Sequence, residues 1–226
     1  KDKNKQFSQP IKDKRLLKKI KVCWNMGLCD HGKYSHIKQK MFSIFKSRIF
    51  ISNSKSYCNS YDNRKNNLSC RIGDKYERET VQFQRKKIKI LIQEHTDTYK
   101  IDRFKYLNEM QNSKCVISPF GWGELCPRDF EIFLCGGILI KPDMSFFDTW
   151  PNWYISKKDV HNTDFHTYLS FKWDLSDLEK IFQSVIKKYA KFKHIAKQGQ
   201  KTYMMYTKGE SSKIIFAKRF LELIKN

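Results

Sequence analysis

The chain is short of glycine, proline, acidic residues and long apolar runs, and each shortage excludes something. Nine glycines and five prolines in 226 residues exclude collagen-like and Pro/Gly-rich low-complexity chains. No run approaches the roughly 18 apolar residues that a membrane-spanning helix needs. The longest, "IFLCGGILI" at 132–140, is core-sized and broken by glycines. The seven cysteines, at 23, 29, 58, 70, 115, 126 and 135, are odd in number and irregular in spacing. That argues against a disulfide framework and for a reducing compartment, and the expected location is the cytoplasm. Cys23, Cys29, His31 and His36 form C-x5-C-x-H-x4-H, which departs from zinc-ligand spacing, so no metal is expected.

Acidic residues are outnumbered, 23 Asp and Glu against 45 Lys and Arg, for a net charge of +22. Such a charge attracts nucleic acid, anionic lipid or phosphorylated small molecules. The excess is mostly lysine spread along the chain, without an RRM, KH, zinc-finger or helix-turn-helix signature. Nucleic acid is therefore not the expected partner. A basic protein binding nucleic acid or an anionic surface is retained as an alternative class.

What is present is globular: 40% apolar and 15% aromatic residues. Residues 1–21 form a basic lead-in with an amphipathic pattern at "RLLKKIKV". "IKVCWNMGL" (20–28) reads as a buried strand, and "KQKMFSIFKSRIFIS" as a helix or strand. The Ser/Asn/Asp-rich stretch 52–67 marks a boundary. The expected division is an N-terminal segment, 1–67, and an α/β domain, 68–226. In the latter, strands at 68–73, 114–119 and 137–142 alternate with helices at 76–94, 102–112, 127–136 and 176–189. Ser176 and Glu179 have capping-box spacing. "SSKIIFAKRFLELIK" is a closing helix. Alternation implies a Rossmann-like, mostly parallel sheet with helices on both faces.

Ligands of such sheets bind outside the carboxyl ends of the strands. Residues 118–144, "SPFGWGELCPRDFEIFLCGGILIKPDM", hold four of the nine glycines at that kind of place. Gly121 and Gly123 precede a helix start, where close backbone approach and free N–H groups favour phosphate. Arg128 is a phosphate-binding candidate, and Asp129 and Glu131 are carboxylates able to accept ring hydroxyls. The plainer reading gives the carboxylates to the helix dipole and the glycines to a tight turn. Lys141 and Asp143 lie near enough to a strand end to line the cleft. The aromatic run 146–153 serves either stacking on a ligand or cover for the sheet. Asp30 and His31, in "NMGLCDHGKY", sit where a general base fits, or are solvated surface.

The stretch "SPFGWGELCPRDFEIFLCGGILIKPDMSFFDTWPNWY" resembles the donor-binding half of GT-B glycosyltransferases of the group 1 and exostosin-like kind, over about residues 68–205. The resemblance implies a GT-B type donor domain behind a reduced N-terminal α/β segment belonging to the acceptor side. Glu131 matches the Glu that binds the ribose hydroxyls of the nucleotide-sugar. A second family Glu, eight positions earlier, would fall on Gly123, with Glu124 adjacent. Arg71 and Lys75 in "CRIGDK" resemble a basic pair aimed at the diphosphate, or are two charges among many.

The implied activity is transfer of a sugar from a nucleoside-diphosphate donor to an acceptor hydroxyl, with no cofactor and no metal. A carbohydrate acceptor and a peripheral membrane contact complete the expected partners. The missing Glu at Gly123 leaves a further alternative, a degenerate glycosyltransferase-like interaction module.

Overall fold

A computed structural model describes residues 12–22, 60–156, 165–207 and 209–225. The elements are α1 (Lys14–Lys19), β1 (Asn66–Ser69), α2 (Glu79–Ile92), α3 (Arg103–Asn112), β2 (Ser113–Ile117), α4 (Pro127–Cys135), β3 (Ile138–Pro142) and β4 (Tyr168–Phe171). Three helices follow: α5 (Leu178–Lys187), α6 (Tyr189–Thr207) and α7 (Gly209–Lys225). The four strands form one all-parallel sheet in the order β1-β2-β3-β4. The fold is α/β and Rossmann-like.

Parallel strands covered on both faces read as continuous apolar runs. β2 and β3 do so, "SKCVI" and "ILIKP", with every β3 residue buried. The period of two sorts them. Cys115, Ile117, Ile138 and Ile140 pack toward α2 and α5, while Val116 and Leu139 pack toward α3 and α4. Each fully buried aliphatic side chain contributes about 1.5–3 kcal/mol.

The helices follow their own period of 3.6 residues. In α2, Val81, Arg85, Ile88 and Ile92 recur at i, i+4, i+7 and i+11 on the buried side. The Asp102 carboxylate caps α3, accepting from the Lys105 N–H at 3.0 Å. Leu107 and Met110 of α3 are buried, but Phe104 points out to solvent. α4 opens with Pro127 and closes on Gly136, whose φ of 63° is left-handed.

The expected capping box at 176–179 does not form. α5 starts at Leu178 with Asp177 before it, and the Asp177 carboxylate instead accepts from the Lys172 N–H at 2.8 Å. The sequence reading also passed over β4 and α6. α6 runs past the amino end of β4 and reaches both cores, with Ile195 and Ala196 on one side and Tyr203 on the other. Of the buried strand expected at 20–28, residues 20–22 are exposed and form no strand, Ile20 capping the end of α1; the readings at 23–59, including the cysteine–histidine spacing, lie outside the described residues.

Candidate functional site

The loops after β1 and β2 enclose a cavity of about 1140 Å³, outside the carboxyl ends of these strands. Arg71–Gly73 follow β1, Gly121–Arg128 follow β2, and α2, α3, Glu131 of α4, Tyr76, residues 99–101 and Phe147 supply the remaining walls. Its lining carries six cationic side chains, Arg71, Arg85, Lys89, Lys100, Arg103 and Arg128, against two carboxylates, Glu124 and Glu131. Tyr76, Tyr99 and Trp122 add aromatic surface. Concave, cationic and aromatic together suit an anionic ligand with a flat ring.

Arg85 stitches the two loops together. Its Nε donates to the Phe120 carbonyl at 2.7 Å and its Nη1 to the Gly73 carbonyl at 2.9 Å. The guanidinium also stacks over Tyr76, 4.4 Å from the ring centre. Arg128 ties the helix to the β1 loop by donating from Nη2 to the Arg71 carbonyl at 2.6 Å. Arg71 is held by Glu109, Nη2 to Oε2 at 2.6 Å. The cations are thus fixed by protein partners yet still line the cavity.

Glu131 sits on the cavity wall, one turn into α4. Its Oε1 accepts from Arg103 at 3.1 Å and its Oε2 from the Tyr106 hydroxyl at 2.9 Å. Burial pushes the Tyr106 hydroxyl well above its ordinary range, so it donates as a neutral phenol. A carboxylate offers about four lone-pair positions. Two are occupied by these donors, and two remain for further donors such as paired hydroxyls.

The glycines differ in what they do. A Cβ on Gly121 would come within 3.2 Å of Cys126 Sγ and 3.6 Å of Arg85 Nη2, so this position requires close approach. A Cβ on Gly123 would meet nothing within 4 Å. Nor is the start of α4 an open row of N–H groups. Pro127 has none, the Cys126 N–H goes to Asp129 Oδ2 and the Asp129 N–H to the Cys126 carbonyl. An anion placed in the cavity would therefore meet the guanidinium groups more than the helix end.

The other sequence candidates separate. Asp129 and Lys141 are fully buried and form an internal ion pair at 2.9 Å, away from the cavity. Ser118 Oγ and Tyr154 Oη, each at 2.6 Å, donate to the same Asp129 carboxylate. Asp129 and Lys141 are both donor-binding candidates of the sequence, and neither lines the main cavity. Lys75 is exposed and lines neither this cavity nor the second one described below, while its neighbour Asp74 pairs with Lys89 at 3.2 Å. Asp143 lines that second hollow, of about 530 Å³, with Phe120, Phe146, Lys172, Trp173 and Asp177 at the ends of β3 and β4. Asp30 and His31 lie outside the described residues. Of the aromatic run, Trp153 is core, Phe147 reaches the main cavity and Phe146 is exposed.

Sequence reasoning missed Arg85, Arg103, Tyr106 and Tyr76. Arg85 carried a legible signal: an arginine on the apolar stripe of a helix, where a charge needs partners. Arg103 and Tyr106 carried none, because only the tertiary fold brings α3 against α4. Among the described residues no cluster of three or more His, Cys, Asp or Glu suited to a metal ion occurs. No protein-family model, curated protein or solved structure matches the chain.

Proposed function

We propose that the protein is a glycosyltransferase whose main cavity binds a nucleoside-diphosphate sugar, in the manner of a GT-B donor domain. The observation that carries this reading is the pairing of chemistries in one cavity: a carboxylate oriented by Arg103 and Tyr106, beside a wall of arginines, at the carboxyl ends of parallel strands. Glu131 accepts the ribose hydroxyls. Arg71, Arg85 and Arg128 neutralise the diphosphate and stabilise the charge that develops on it as the leaving group departs. Tyr76 and Trp122, whose ring centres lie 6.3 Å apart, give the base or sugar an aromatic surface.

Thermal shift with a panel of nucleotides and nucleotide-sugars tests it. A ligand present at about a hundred times its Kd stabilises by about 2.7 kcal/mol. For a chain of this size that raises Tm by roughly 5–10 °C. The shift should vanish in Glu131→Ala and partly survive in Glu131→Gln, which keeps one acceptor. No shift with any nucleotide overturns the reading, and incubation of a binding donor with acceptor glycans should then yield free nucleoside diphosphate.

A further inference from the structure

The second hollow lies outside the carboxyl ends of β3 and β4, as the main cavity does for β1 and β2. Its volume of about 530 Å³ is of the size that small ligands fill. The two adjoin across a partition made by residues 120 and 146–147. The Phe120 carbonyl accepts from Arg85 of the main cavity, while its ring lines the hollow. Phe147 lines the main cavity and Phe146 the hollow.

The chemistry changes across that partition. Six cations face two carboxylates in the main cavity, whereas among the described residues the hollow sets two carboxylates, Asp143 and Asp177, against one lysine, Lys172. Local bonds hold both carboxylates in place. Asp177 Oδ1 accepts from the Lys172 N–H at 2.8 Å. Asp143 Oδ1 accepts from the Ser145 N–H at 3.0 Å, and its Oδ2 from the Ser145 hydroxyl at 2.8 Å. Each carboxylate offers about four lone-pair positions, so acceptor capacity remains. Trp173 lines the hollow at 49% exposure, with the buried Phe120 ring beside it, centres 5.4 Å apart.

We propose that this hollow is a carbohydrate subsite, in which a neutral sugar ring stacks on Trp173 and its hydroxyls donate to Asp143 and Asp177. A sugar ring has an apolar C–H face and an edge of hydroxyls, and so calls for an aromatic surface beside fixed acceptors. The carboxylates refuse an anion. A cation is opposed by Lys172 and by the net charge of +22, and Phe120 already holds the Lys141 ammonium 5.1 Å from its ring centre. The family resemblance puts the acceptor side on the N-terminal segment; this hollow is instead a sugar site of the α/β domain itself. The inference does not depend on what the main cavity binds.

Saturation-transfer NMR on the full chain with maltotriose, cellotriose and chitotriose tests it. At least one of the three should receive saturation from the protein. Its binding should weaken about tenfold in W173A and again in D143N/D177N. Tm should fall by no more than a few degrees, since Trp173 and Asp143 are exposed and Asn keeps the shape of Asp. UDP or GDP in excess should leave the sugar signal unchanged, which separates this hollow from the main cavity. Four results overturn the proposal. They are no transfer to any of the three sugars, undiminished binding in W173A or in D143N/D177N, displacement of the sugar by UDP or GDP, and binding of tetramethylammonium in place of the sugars.

Discussion

Cys70 and Cys115 are fully buried thiols on the sheet face that packs against α2 and α5, and burial pushes both from 9.0 up to about 12. Above pH 9 the unfolded chain releases these protons while the folded one keeps them. The unfolded state then binds fewer protons, and stability falls as pH rises from about 9 toward 12. Below pH 9 the contribution is fully present. Melting curves from pH 8 to 11 should show this alkaline loss, with a shallower slope in C70A/C115A; an identical slope would refute it. At this scale the sequence was only half legible. Glu131 and Arg128 do line a cavity, as their place in the glycine-rich stretch implied. Asp129, two residues from Glu131, turns inward because the two lie on different sides of a helix with 3.6 residues per turn. Lys141 lies inside for a similar reason: on a strand whose residues are all buried, it meets Asp129 instead of solvent.

Elements with recognisable ends were readable, and those without them were not. α2, α3 and α4 carry helical spacing and recognisable ends, and the sequence placed each to within a few residues. β4, "YLSF", is too short to show alternation, and α6 has an internal glycine that reads as a breaker. That glycine has a packing role. A Cβ on Gly199 would lie 2.9 Å from the Thr167 carbonyl and 2.9 Å from the Phe133 ring, and the carbonyl belongs to backbone that cannot swing aside. Gly199→Ala gains about 0.5–1 kcal/mol of helix propensity and loses about 1–3 kcal/mol to overpacking. The expected outcome is a net lowering of Tm by a few degrees. A raised Tm would show that α6 has room to shift away from β4.

At the scale of the whole molecule, four segments meet at one buried charge. Ser118 follows β2, Asp129 belongs to α4, Lys141 to β3, and Tyr154 to the connection toward β4. Asp129→Ala should cost about 3–5 kcal/mol, since it leaves the Lys141 ammonium in the interior without its counter-charge. Chemical denaturation would measure it, and a loss under about 1 kcal/mol would mean that water reaches the ammonium. The double change Asp129→Leu with Lys141→Met removes both charges and should recover most of that loss. The pair therefore binds two distant codons to each other. A sequence drifting by single substitutions meets a deeply destabilised intermediate whichever position changes first, so the two acquire a common fate although twelve positions separate them.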